Sequence, residues 1–416
     1  MYASMFSVSS KQGSEVPPIN PSHRGSPMQT VKVPFGMYYS DTKFEMTFPA
    51  EWEVEVSEMA GGPDIGETGI RKAFANPIGS ARLSEIANGK NSVAILIDDL
   101  TRPTPAGRLI PYILEELAEA GIHEDQVRII GAVAAHRAMI RQDFVKKLGE
   151  NIVDRMQVVC HNADDNLDFL GHTSRGIPMW VNRDFMACQV RIALGMITPR
   201  GGFFGGGAKL VLPGASGRVS IAANHRYVHE GFREHLDEVA RLVGLDFLVN
   251  PCLNADLEID ALVTGDPVDA YWAGVAIGKK VYASPFPEKP DIAIFNAWPK
   301  DAEFTQAGMA MVPVQSGNAQ NMKENTTVVI ATASPEGMGF HSVFGAGAEL
   351  RGKPSPQRWR TIIFSPNLNK WDVMLMYGEH ATFCKTWDEV LAELQRIHGK
   401  QARVSVFPYG SIQYCE

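Results

Sequence analysis

Apolar residues gather along this chain into short runs separated by helical patterns. "SVAILIDD" (92–99), "VRIIGAV" (127–133), "MQVVCHN" (156–162) and "CQVRIALGMI" (188–197) are continuous and rich in β-branched residues, and so predict buried strands. Between the first two, "RLIPYILEELAEAG" (108–121) repeats its apolar positions at helical spacing, and "EGFREHLDEVARLVG" (230–244) predicts another helix. A second group follows "GDPVDAYWAGVAIGKKVY" (265–282), which predicts a helix bridging two halves. In that group "DIAIFNAW" (291–298), "TTVVIATAS" (326–334), "RTIIFSP" (360–366) and "ARVSVFP" (402–408) predict strands. "TWDEVLAELQRIHG" (386–399) opens on a capping pair, Thr386 and Glu389, and stops at Gly399.

Strands alternating with helices predict an α/β fold with largely parallel, Rossmann-like sheets. The chain has 416 residues, more than one ordinary core holds, so two α/β domains are expected, with the active site in the cleft between them. The expected boundaries are a poorly ordered extension over 1–30, an N-terminal domain over 31–268, a linking helix over 269–285 and a C-terminal domain over 286–416. The extension is dominated by Ser, Pro and Gly and lacks the basic and apolar blocks of a secretory signal.

Composition narrows the partners. Net charge is −8, which argues against nucleic acid, since phosphate binding needs a basic face. No apolar run approaches the roughly 18–20 residues of a membrane helix. The five cysteines, 160, 188, 252, 384 and 415, are scattered and form no C-x-x-C pair, so a reducing cytoplasm is expected.

Candidate chemistry centres on "ITPRGGFFGGGAKLVLPGASG" (197–217), with seven glycines, two prolines and one lysine, Lys209, in 21 residues. Its simplest reading is a glycine-rich turn carrying a solvated amine. A Walker phosphate loop does not fit, because Ala208 and Leu210 flank the lysine. The dinucleotide G-x-G-x-x-G fingerprint is absent too. Glycines let a bulky group lie against the backbone, which suits a lysine carrying a covalent cofactor. Sixteen residues on comes His225, in "ANHR". "IDDLTRPTP" (97–105) and "GAVAAHRAM" (131–139) place Asp99, Thr101, Arg102 and His136 just after predicted strands, where α/β enzymes hold their chemistry.

These segments, with "GHTSRGIPMWVNR" (171–183) and "GGGAKLVLPG", resemble the lactate racemase family, whose members use a nickel-pincer nucleotide. The resemblance runs from about residue 31 to near the C-terminus. It implies that Lys209 holds pyridinium-3-thioamide-5-thiocarboxylic acid mononucleotide covalently, through a thioamide. It implies that His225 is the protein's ligand to Ni(II), completing the square plane that this ion favours. His136 then resembles the general acid/base at the substrate hydroxyl, Arg102 a substrate-orienting residue, and Asp99 and Thr101 its neighbours toward the cofactor. Gln306 of "FTQAGM" (304–309) matches the family's substrate-contacting glutamine, and Trp371 falls near its active-site tryptophan, although core packing accounts for Trp371 equally well. The implied activity is racemisation or epimerisation of a 2-hydroxy acid by proton-coupled hydride transfer through a 2-keto acid. The implied partners are that small acid and the proteins that synthesise the cofactor.

Two departures bear on the substrate. The family's second histidine, in a "PH" pair, is here Pro199-Arg200, and a guanidinium cannot act as a base. The family's carboxylate-binding lysine is Met309, and its neighbouring tyrosine is Thr305. Arg200 is therefore expected to replace the missing cation while Met309 opens apolar room, for a substrate bulkier or more apolar than lactate. His341, in "GMGFHSVFG", is a candidate replacement base or a plain loop histidine; His172 and His161 are weaker candidates, and His229 lies four residues beyond His225. Two other readings stand beside racemisation: an oxidoreductase of the same cofactor class, and a non-catalytic binder of the cofactor or of small carboxylates, for which both an attachment amine and a metal ligand are superfluous.

Overall fold

The computed structural model describes residues 28–226, 231–343 and 358–415. Two six-stranded sheets organise it. The first orders its strands Ile259–Gly265, Phe247–Leu253, Val190–Leu194, Val93–Ile97, Val127–Gly131 and Gln157–Cys160. All neighbours are parallel except the antiparallel edge pair Ile259–Gly265 and Phe247–Leu253. The second runs Ala381–Cys384, Arg360–Phe364, Thr327–Ala331, Ile292–Asn296, Arg403–Phe407 and Glu53–Val56, parallel throughout.

Most of the apolar runs become interior strands because parallel sheets are covered on both faces, but Gln157–Cys160, expected to be buried, is an edge strand without a fully buried side chain. Every side chain of Val93–Ile97 and of Ile292–Asn296 is buried. One core packs Ile95, Ile129 and Ile192 with the helix Ala106–Glu119, which buries Leu109, Ile110, Ile113 and Leu117. The second sheet carries a cluster on each face, one around Ile294 and Val390, the other around Phe295 and Phe304. The expected helix near 386–399 is Trp387–His398, its Thr386 hydroxyl accepting from the Glu389 amide. The helix expected over 230–244 is Phe232–Leu242.

The domain boundaries drawn from sequence need correction. Residues 28–56 belong with the second sheet: Glu53–Val56 is its edge strand, and Val33, Met46, Phe48 and Trp52 join the core around Ile294. Met28–Pro34 pairs antiparallel with Lys43–Pro49, so Met28 to Thr30 lie in a strand, while residues 1–27 of the expected extension lie outside the described residues. The helix Asp269–Val281 packs on Phe247–Leu253 and Ile259–Gly265, making it part of the first unit as well as a link. These pairings join residues up to 350 positions apart (Arg403 with Glu53), and a four-residue strand alternating Glu and Val does not encode its partner. The strands Phe247–Leu253 and Ile259–Gly265 were not expected, since Asn250 and Pro251 interrupt the first.

Both sheets turn their carboxyl ends toward one cavity of about 290 Å³. Residues following three strands of the first sheet line it, together with Thr305, Gln306, Met309 and His341, which follow strands of the second. Among the described residues, no helix is long and apolar enough to cross a membrane.

Candidate active site

The loop after Val93–Ile97 is built from inside. Lys147, fully buried, pairs with Asp98 at 2.6 Å and donates to the carbonyls of Asp99 (3.1 Å) and Arg102 (2.7 Å). Thr104 donates to the other Asp98 oxygen at 2.5 Å. The Tyr38 hydroxyl, from the segment that packs with the second sheet, donates to the Arg102 carbonyl at 3.0 Å. Lys147 went unrecognised in the sequence, yet a signal is present. It occupies the apolar stripe of the helix Arg141–Leu148 beside Phe144 and Leu148, where a lysine needs a buried partner.

Asp99 uses both carboxylate oxygens within this frame. Oδ1 accepts from the Thr101 hydroxyl at 2.5 Å and amide at 3.0 Å, and Oδ2 lies 2.6 Å from His136 Nδ1. Burial acts to raise the Asp99 pKa, but His136, Arg102 and Thr101 outweigh it and hold the carboxyl well below its usual range. The carboxylate fixes the imidazole so that Nδ1–H donates and Nε2 is left for chemistry, an assignment inferred from the partners. Asp99 is thus an orienting partner of His136, where cofactor contact had been expected. Thr101, 7% exposed, braces Asp99 and does not line the main cavity.

Two arginines face the cavity from different elements. Arg102 Nη1 bonds the Thr101 carbonyl at 2.8 Å and reaches Gln306 Oε1 at 3.5 Å, so the expected glutamine is at the site. Arg200 lies on the short hairpin Thr198–Arg200 with Phe203–Gly205. Its Nη1 is 3.2 Å from Met309 Sδ, and its buried Nε has no hydrogen-bond partner among the described residues. Burial and then Arg102 press its pKa down. A guanidinium keeps its proton, so such a site favours an anion between the two arginines. The substitutions at 200 and 309 are therefore in contact.

Lys209 lies in the short helical turn Gly207–Leu210. Its amine faces the cavity with the rings of Phe203 and Phe232 at 5.3 and 5.4 Å, and no carboxylate pairs with it among the described residues. Burial, then Arg200 and Arg102, push this amine well below the ordinary lysine range, which favours the neutral nucleophile. Gly206, at φ +99°, passes so close to the Met196 carbonyl and Asn250 Oδ1 that a Cβ would sit 2.6 and 2.7 Å from them.

His225 lies in the last turn of Arg218–Arg226 and lines the same cavity. Its Nδ1 donates to the Ile221 carbonyl at 2.8 Å, which directs Nε2 away from its own helix. Burial, against that hydrogen bond, brings its pKa to about 4, so the ring is neutral near pH 7. His341 stands between the two other imidazoles, its ring centroid 5.0 Å from His136 and 6.0 Å from His225. Burial and then these two histidines bring it to about 3.

Other candidates fall elsewhere. Trp371, expected near the cofactor, is 70% exposed in the first turn of Lys370–Tyr377 and does not line the cavity. His161 is buried, with Nε2 bonded to the Ser216 carbonyl at 2.9 Å and Nδ1 to Asn182 Nδ2 at 3.1 Å, a structural role. His172 is exposed, its ring against Phe169. His229 lies outside the described residues. Among the described residues, no three His, Cys, Asp or Glu side chains cluster as a metal site.

Parallel sheets whose carboxyl ends share one cavity, lined by an Asp–His dyad, two arginines and a lysine with no carboxylate partner among the described residues, define an α/β enzyme site. Residues 39–236 match the family described as lactate racemase N-terminal domain. The lactate racemase of Lactiplantibacillus plantarum is 27% identical over 382 residues, covering 82% of this chain and 89% of that protein. That of Thermoanaerobacterium thermosaccharolyticum is 27% identical over 345 residues, covering 78% and 76%. The structure of the latter organism's lactate racemase apoprotein superposes with a TM-score of 0.72 at 22% identity, over 93% of this chain and all of that one. A Thermotoga maritima protein superposes at 0.64 with 16% identity. Residues 39–236 thus carry a lactate racemase N-terminal domain, and most of the chain is similar to lactate racemases, which are isomerases.

Proposed function

We propose that this protein is a racemase or epimerase of a 2-hydroxy acid that works with a nickel-pincer nucleotide tethered to Lys209. The observation that carries the reading is that Lys209, His225 and the Asp99–His136 dyad, drawn from four segments, all face one cavity. The residues fit the group. The amine has no carboxylate partner among the described residues and is shifted toward its neutral form, and His225 presents one neutral imidazole nitrogen. Lys209 would hold the nucleotide and His225 the nickel. The bound group would supply the acceptor for the hydride of the substrate carbon.

The chain's own residues account for the remaining steps. Arg102 and Arg200 grip the carboxylate, and Gln306 steadies Arg102 from the second unit. His136 Nε2 takes the hydroxyl proton as the carbon–hydrogen bond breaks, and Asp99 stabilises the imidazolium that forms. The enclosing second-unit segments keep water from the keto acid until it is reduced on its other face. Met309 in place of a cation supports a substrate larger or more apolar than lactate. The five free cysteines support a reducing cytoplasm, where cofactor-synthesis proteins would load the site.

A second reading, net hydride transfer without inversion, draws support from Arg200, which cannot serve as the opposing base. Protein made alongside the cofactor-synthesis proteins decides between them. It should carry nickel and a mass adduct that Lys209→Ala loses, and chiral chromatography of a 2-hydroxy-acid panel should show inversion. Oxidation of one 2-hydroxy acid matched by reduction of an added second 2-keto acid, without inversion, favours the second reading. Loaded protein that alters no hydroxy acid defeats both.

A further inference from the structure

The loop carrying His136 is bound to the loop carrying His341 by a contact that joins the two units. Arg137 Nε and Nη2 donate to the two Glu336 oxygens at 2.6 and 2.7 Å, a two-pronged fork. On its other side Arg137 Nη1 bonds Asp143 at 2.6 Å, and Asp143 in turn accepts from the Ile140 amide at 2.9 Å. Tyr39 donates to Glu336 at 2.5 Å. Beyond the fork the chains run as a short antiparallel bridge, His136 opposite His341, with the Ser342 amide donating to the Ala135 carbonyl at 2.8 Å.

We infer that Glu336 is a positioning residue for the reaction, acting through Arg137 to hold His136 and His341 in register at the cavity. The inference rests on the catalytic reading of His136 given above. The Glu336 carboxylate is mostly shielded, with its side chain 15% exposed, so the pair is screened less than a surface bridge. Asp143 keeps Arg137 ordered from within the first unit. The 334–343 loop is also tied to its own unit, by backbone bonds from Ser334 and Glu336 to Asp301 and Ala302 and from Phe304 and Thr305 to Gly337 and Met338. Losing Glu336 therefore loosens the loop's hold on the His136 segment without unmaking either the loop or the helix Arg141–Leu148.

Two measurements on the full chain test this. The first is amide hydrogen exchange over residues 334–343. Glu336→Gln should speed exchange there by about tenfold, the loss of one charge-assisted bond of roughly 1.4 kcal/mol, and leave 127–131 unchanged. Arg137→Lys, which keeps the charge and loses the fork, should move the same way by less, and Glu336→Asp should recover part of the protection. The second is turnover by cofactor-loaded enzyme of whichever 2-hydroxy acid the wild type inverts. In Glu336→Gln, kcat should fall by about tenfold with KM changed less than about twofold, because the histidines and not the carboxylate grip are displaced. Unchanged exchange overturns the proposal, and faster exchange with unchanged kcat overturns it equally. Loaded wild type that inverts nothing sinks the functional reading instead, while exchange still judges the clasp.

Discussion

Asp99 Oδ2 stands 2.6 Å from His136 Nδ1, and the two residues follow adjacent parallel strands, Val93–Ile97 and Val127–Gly131. The pairing of those strands creates the dyad, since the side chains are 37 positions apart in the chain. Asp99→Asn keeps the size and removes the charge that selects the tautomer. It should lower kcat by at least about 100-fold, the scale of general acid–base catalysis, while nickel content measured by mass spectrometry stays at wild-type level. His136→Ala should do the same. Turnover within a few-fold of wild type in either variant removes His136 from the proton step.

Arg200 and Met309 touch across the two units, and Arg200 Nε lacks a protein partner among the described residues. Arg200→Gln should therefore raise KM by about 10- to 100-fold, the worth of one charged hydrogen bond, with a smaller change in kcat. Steady-state kinetics with the preferred substrate would reveal the opposite pattern, a collapsed kcat at constant KM, if the guanidinium acts in the chemistry.

Gly206 adopts φ +99° against the Met196 carbonyl. Gly206→Ala combines backbone strain with a collision and should cost about 1–3 kcal/mol or more of stability. Urea denaturation reads this directly. The same variant should also lose the Lys209 mass adduct, because the turn carrying the lysine must shift. A stable, fully loaded Gly206→Ala protein contradicts the close approach.

His161 is buried in its neutral form, and burial lowers its pKa against the hydrogen bond to Ser216. The unfolded imidazole titrates near about 6.5, so below that pH the unfolded chain holds the extra proton. Stability from this group is complete above about pH 6.5 and declines as pH falls toward the depressed folded value. His161→Gln should be less stable at about pH 7.5, yet lose less between about pH 7.5 and 5 than wild type does. Urea midpoints at the two pH values give the comparison, and an equal loss in both proteins assigns the decline to other groups.

Local sequence determined the central strands and the residues at their ends. Runs such as "VAILI" and "IAIF" are apolar at every position, which a strand covered on both faces accommodates, and a βα turn puts the following residues at the sheet edge whatever its partners. For that reason Asp99, Arg102 and His136 were legible as cavity candidates, whereas Lys209 was singled out by its glycine-rich loop, and His225 and Gln306 by resemblance to a family. The tertiary structure alone decided what those residues do to one another. Asp99 is hydrogen-bonded to His136, Trp371 falls on an exposed helix end, and the His341 ring lies against two other imidazoles. It also assigned residues 28–56 to the far sheet and joined Arg137 to Glu336 across 199 positions. Hydrophobic periodicity reports which face of an element is buried, a local quantity. Which elements then meet is settled by packing among segments distant in the chain, and no stretch of sequence records that alone.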